Sequence, residues 1–245
     1  MSGLAISRAT SPERLFESLS GLYNTLPFAL REATKSLRYD ALFHYRSRTR
    51  ARLTFYFDGA PYPYFFAQYN GAWGSERTVE VPLATKVLDK FANQLVLEVG
   101  NVLSHYRPIE HEVVDKYEVA PRVINEDVVD IARAQPYDLI ISVSTLEHVG
   151  WDEYPQDTAK FGRAVEHLRS LLAPGGMLFF TVPLGYNPGV DAALSAQREA
   201  WNALFLRRVS QANDWVQASY AAVQGSTYGE PFGCAGALAV CTLSS

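Results

Sequence analysis

Residues 137–149 read YDLIISVSTLEHV. The first seven are an almost unbroken apolar, β-branched run. A run of that length predicts a strand buried on both faces, as in parallel sheets. Toward the C-terminus, the amphipathic stretch 154–172 reads as a helix of about five turns. It stops at Ala173-Pro174-Gly175-Gly176, because proline cannot continue a helix and glycine suits the residue that ends one. MLFFTV (177–182) is the next strand. Toward the N-terminus, LVLEV (95–99), HEVVD (111–115) and RVI (122–124) read as three short strands. Such alternation predicts an α/β fold, a doubly wound and mostly parallel sheet with helices on both faces. Near the C-terminus, 192–204 reads as helical. FLRRVS (205–210) and GALAVCT (236–242) read as final strands with an antiparallel pairing.

Before residue 95 the texture differs. Ser11-Pro12-Glu13 is a helix-start signal, followed by Leu15, Leu19, Leu22 and Leu26 at helical spacing. Arg46, Arg48, Arg50 and Arg52 alternate, so an extended chain would show them on one face. Residues 55–73 mix Phe and Tyr with Gly and Pro and read as irregular, and a helix resumes over 83–93. The expected organisation is an N-terminal helical, aromatic-rich cap over 1–80 and an α/β domain over 81–245.

The 245 residues are 48% hydrophobic and 20% charged, an ordinary globular composition. With 22 Lys+Arg against 26 Asp+Glu the net charge is −4, which argues against nucleic-acid binding. No apolar run reaches the ~20 residues that span a bilayer, and the first residues show no secretory signal. Two cysteines, Cys234 and Cys241, imply no disulfide framework. The expectation is a cytoplasmic protein.

In open α/β sheets ligands bind beyond the carboxyl ends of the strands. Those ends carry Glu98-Val99-Gly100-Asn101, then Asp115-Lys116, Asn125-Glu126-Asp127-Val128, and Ser144-Thr145-Leu146-Glu147-His148. Asp115 is placed to accept from a ribose diol. A dinucleotide needs Gly-x-Gly-x-x-Gly, but Asn101, Val102 and Leu103 follow Gly100, and no Gly-Lys-Ser/Thr supplies a P-loop. A nucleoside ligand without phosphates, such as S-adenosylmethionine, tolerates those side chains. A nicotinamide oxidoreductase is disfavoured by the missing glycines.

These motifs resemble the class I S-adenosylmethionine-dependent methyltransferases. LEVGNVLS, HEVVDKYE, NEDVVDI, YDLIISVSTLEHV and LLAPGGMLFFTVP stand in the order of that family's motifs. The first keeps one glycine of the usual Gly-x-Gly-x-Gly. YNGAWGSERTVEVP (69–82) more loosely resembles bacterial methyltransferases associated with polysaccharide or glycoside modification. The resemblance implies a Rossmann-like fold with S-adenosyl-L-methionine as cofactor. It implies that Gly100 and Asn101 let backbone approach the cofactor and that Glu98 faces its amino-acid end. Asp115 would hold the ribose with Lys116 beside it, Asp127 and the Val128 amide would meet adenine, and Ser144 and Leu146 would lie beneath the sulfonium.

His148 follows the strand on the side where an acceptor meets the methyl group, and histidine is suited to general-base work near neutral pH. Asp152, Glu153 and Tyr154 in the same loop are alternative bases. Tyr69, Trp73, Arg77 and Asp152 are the substrate candidates. No His, Cys or Asp set has metal-ligand spacing. The expected activity is O-methylation of a sugar or glycoside hydroxyl, on a small-molecule or glycan acceptor. The alternatives are N-methylation of a small amine and a non-catalytic S-adenosylmethionine-binding partner protein.

Overall fold

The computed structural model describes residues 27–245. The expected helix after Ser11 lies outside them. The chain divides into two units, Met1–Thr49 and Arg50–Ser245. In the first, helix α1 covers Phe28–Thr49. Arg46 and Arg48 fall in its last turn, where cations complement the negative end of the helix dipole. The arginine alternation is therefore not an extended face: its first two members are helical, and Arg50 is buried against Asp214.

The second unit is built on one eight-stranded sheet. Its strands are β3 (Val96–Val99), β4 (Glu112–Val114), β5 (Val123–Ile124), β6 (Tyr137–Val143), β7 (Leu172–Pro183), β8 (Leu204–Arg208), β9 (Trp215–Ala218) and β10 (Ala237–Ser244). Their order is β5-β4-β3-β6-β7-β10-β8-β9. β3 to β7 pair in parallel, whereas β10 runs antiparallel to both β7 and β8, and β9 is antiparallel to β8. This is the Rossmann-like α/β sheet expected, with the antiparallel C-terminal strand. β6 sits near its centre, and residues alternate between two core clusters. Leu97 and Ile140 face one, Leu139, Ile141 and Val143 the other. Full burial of each such side chain is worth roughly 1.5–3 kcal/mol.

Helix α2 (Arg77–Lys90) packs with the second cluster, while α3 (Lys160–Ser170) and α4 (Pro188–Gln197) pack with the first. The short α5 covers Tyr220–Val223. Both central helices differ from the sequence reading. α3 starts at Lys160, because residues 154–157 form irregular chain before it, and α4 begins at Pro188. The Pro-Gly-Gly segment lies inside β7 rather than only ending a helix.

Residues 55–73 are more ordered than expected. β1 (Thr54–Phe57) and β2 (Ala60–Pro63) form an antiparallel hairpin. Asp58 and Gly59 turn it with φ of 49° and 71°, the left-handed conformation that tight hairpin turns require. Phe55 and Phe57 are buried in the second core cluster. Pro82 explains how the following segment docks. Lacking an N–H, it leaves the Thr78 carbonyl unclaimed within α2, and the Phe65 amide donates to that carbonyl at 2.9 Å. The Thr78 hydroxyl returns a bond to the Phe65 carbonyl at 2.7 Å. The aromatic segment is thus part of the sheet's own unit, and the anticipated boundary at residue 80 falls inside α2.

Candidate active site

A cleft of about 420 Å³ opens beyond the carboxyl ends of β3, β4, β5 and β6. Val99, Val114, Val128 and Val149 give it an apolar lining, and Asp115, Lys116, Asp127 and Glu153 bring charge to it. Gly100 is there for a steric reason. Its φ is +87°, and a Cβ on it would lie 2.0 Å from the Thr145 hydroxyl oxygen. The one retained glycine thus lets the β3 loop and the β6 loop close against each other.

Asp115 ends β4 and organises the loop beside it. One carboxylate oxygen accepts from the Tyr117 and Glu118 amides at 2.8 and 2.7 Å, the other from the Asn101 amide at 3.2 Å. A carboxylate offers about four lone-pair positions, so the second oxygen retains acceptor capacity. Asp127 and Glu153 form a square with Lys116 and Lys160, with N–O distances of 2.6–3.0 Å. Burial opposes the charge on Asp127, yet the hydrogen bonds from Lys116 and Lys160 hold its carboxyl at about 2.

A second, polar chamber of about 210 Å³ is lined by Glu76, Arg77, Ser144, Glu147, Tyr186 and Tyr228 among others. A third, of about 160 Å³, is lined by Tyr69, Arg77, Asn101, His105 and Glu118. Asp115, Glu118 and Thr145 line both the cleft and this third chamber, and Arg77 and Ser144 line both smaller chambers. His148 lines both the cleft and the second chamber. It sits in a one-turn 3-10 helix, Leu146–His148, directly after β6. Its Nδ1 meets Asp152 Oδ2 at 2.5 Å, and the Tyr186 hydroxyl donates to the same oxygen at 2.7 Å. Burial works against the Asp152 charge, but the bonds from Tyr186 and His148 lower its carboxyl below the usual range.

Of the residues singled out in the sequence, Gly100, Asp115, Lys116, Asp127, Val128 and His148 share the cleft. Asn101 lines the third chamber and Ser144 lines both smaller ones. Glu98 lines none of these three cavities. It is fully buried, accepts from the Val102 and Leu103 amides at 2.9 and 2.7 Å, and meets His111 at 2.8 Å. Its carboxylate is turned inward because the tight loop after β3 leaves those amides needing an acceptor. Leu146 is wholly core, as its side chain packs in the first cluster. Trp73 is 5% exposed and lines none of the three cavities, whereas Tyr69 stacks on His105 with centroids 4.3 Å apart. Arg77 reaches the chambers, and Asp152 acts on them through His148. The sequence reading missed Thr145, Glu118, Lys160, Glu76, Glu147, Tyr186 and Tyr228. Glu147 stood beside His148 in the quoted motif, while the two tyrosines lie in loops with no motif of their own.

The family model describing a methyltransferase domain matches residues 97–224, more than half of the chain. The chain belongs to this methyltransferase-domain family, with the class I fold. No curated protein gives a significant match. Similar solved structures include N-methyltransferase NodS from Bradyrhizobium japonicum WM9 in complex with S-adenosyl-L-homocysteine. It is 16% identical, with 66% of this chain and 86% of that chain covered and a TM-score of 0.39. An S-adenosylmethionine-dependent methyltransferase from Clostridium acetobutylicum is 12% identical, with 84% and 99% covered and a TM-score of 0.36. The sugar N-methyltransferase KedS8 from Streptoalloteichus sp. ATCC 53650 is 19% identical over 46% of this chain, with a TM-score of 0.32. The chain spans about half the length of that protein, 51%. Among the described residues no helix is long and apolar enough to cross a membrane.

Proposed function

We propose that this enzyme methylates a hydroxyl of a small polar acceptor, a sugar or glycoside, held in the second chamber. The observation that carries the reading is the position of His148, which lines both the cleft and that chamber while Asp152 grips its Nδ1. With Nδ1–H donated to Asp152, the Nε2 lone pair is the one left to take a proton.

The cleft suits an adenosine unit. Its valines offer an apolar bed for a base, Asp115 has acceptor capacity for a ribose hydroxyl, and Gly100 lets backbone close in. The third chamber, continuous in its lining with the cleft, is the place for the amino-acid end, with Arg77 and Asn101 in its wall. When bound, S-adenosyl-L-methionine supplies an activated methyl group on sulfur. The chain's own work is to align the acceptor, exclude water and receive the proton lost from its hydroxyl at His148 Nε2. The free thiols Cys234 and Cys241 fit a reducing compartment, and we place the enzyme in the cytoplasm.

The test is methyl transfer from isotope-labelled S-adenosylmethionine to a pool of sugars and glycosides, read by mass spectrometry. Wild type should yield a labelled methyl ether, and His148→Asn should bind S-adenosylhomocysteine normally without forming it. A methylated amine instead of an ether would overturn the hydroxyl assignment.

A further inference from the structure

We propose that the second chamber recognises a protonated amino group on the acceptor, and that Glu147 is the residue that reads it. The proposal rests on the reading of this chamber as the acceptor site.

Glu147 is 2% exposed, and its Oε2 accepts no hydrogen bond among the described residues. Its Oε1 lies 3.7 Å from His148 Nε2. Glu76 lines the same chamber at 8% exposure, and its Oε2 takes only a 3.3 Å bond from the Ala235 amide. The cation in this wall is already engaged. Arg77 donates to Glu80 at 2.8 Å and to the Val143 and Ser144 carbonyls at 3.1 and 3.2 Å. Glu80 is satisfied in turn by Arg77, Ser144 and Thr181. The Tyr186 hydroxyl is committed to Asp152. The chamber thus holds two buried carboxyl groups, and of these Glu147 keeps an oxygen, Oε2, without a donor among the described residues.

A neutral hydroxyl would offer one hydrogen bond and no charge. An ammonium offers three donors and the positive charge that two neighbouring carboxylates need in order to ionise together. Burial, with Glu80 and Glu76 adding to it, pushes the Glu147 carboxyl well above the usual range, and a bound cation would reverse that. An amine held in this way keeps its proton and has no lone pair to attack a methyl group. It is therefore a recognition handle, and the methylated atom is a neighbouring hydroxyl facing His148. The acceptor class is an amino alcohol, such as an amino sugar.

Calorimetry on the S-adenosylhomocysteine-saturated enzyme tests this with matched pairs: glucosamine against glucose, and galactosamine against galactose. The amino member of at least one pair should bind tenfold or more tightly than its hydroxy partner. Glu147→Gln should erase that preference while retaining S-adenosylhomocysteine affinity and melting temperature. Should Glu147→Gln fold poorly, Glu76→Gln should reduce the preference in its place. Equal or undetectable binding of both members in every pair would overturn the proposal, as would a preference that survives Glu147→Gln. Failure to bind S-adenosylhomocysteine at all would instead strike the cofactor reading on which the proposal rests.

Discussion

The valine-lined cleft beyond β3 to β6 and the carboxylate-lined chamber beside it share His148, and little else in their construction. The cleft draws its walls from one continuous part of the chain, with every lining residue between Val99 and Glu153. The chamber gathers Glu76 and Arg77 from α2 and its approach, Glu147 and His148 from the β6 loop, Tyr186 from the β7 loop, and Tyr228 and Cys234 from just before β10. In the cleft, charged groups neutralise one another, as Lys116 and Lys160 do with Asp127 and Glu153. In the chamber, Glu147 Oε2 is left without a donor among the described residues. A site for one constant ligand can be apolar and self-satisfied. A site that selects among acceptors keeps its demands open.

The sharpest way to break this comparison is at the shared residue. His148→Ala should lower turnover by about 10²–10⁴-fold, the usual worth of a general base, with S-adenosylhomocysteine affinity retained. Asp152, Glu147 and Tyr186 are the groups around it. Quenched assays of the variant would show the loss, and near-normal turnover would move the base elsewhere.

The next effect is on the cleft alone. Gly100→Ala sets a methyl 2.0 Å from the Thr145 hydroxyl and keeps a φ of +87°, a conformation that costs a non-glycine residue about 1–3 kcal/mol. Melting temperature and S-adenosylhomocysteine affinity should both fall, and Thr145→Gly should restore part of the loss. Unaltered affinity in Gly100→Ala would mean that the loop is not built as described.

The smallest effect is electrostatic. Asp127 has its carboxyl lowered from the ordinary 3.8 to about 2. A depressed folded-state value stabilises the fold above the unfolded value, and that contribution is lost as pH falls from about 4 through about 2. Asp127→Asn should flatten this part of an acid-unfolding curve measured by circular dichroism. An unchanged curve would show that the lysine square contributes nothing there.

The same contrast sets what the sequence made legible. YDLIISV and LVLEV are apolar because both faces of the sheet are covered, so the parallel core could be read directly, and with it Gly100, Asp115 and Asp127 at the strand ends. The resemblance sets Glu98 at the cofactor's amino-acid end, but the Val102 and Leu103 amides claim its carboxylate. The hairpin at Phe55–Phe57 carried an Asp-Gly turn signal that the surrounding prolines and tyrosines obscured. Glu76, Tyr186 and Tyr228 meet only through the strand order, in which β10 inserts between β7 and β8, and no local pattern announces such a meeting.

The claim that two separable sites meet at His148 is tested most directly by titrating S-adenosylhomocysteine into wild type, Asp115→Ala and Glu147→Gln by calorimetry. Asp115→Ala should weaken binding by about 1–3 kcal/mol, since it removes a half-buried acceptor from the ribose position. Glu147→Gln should match wild type. Equal losses in both variants, or a loss confined to Glu147→Gln, would contradict the division of the site into a cofactor cleft and an acceptor chamber.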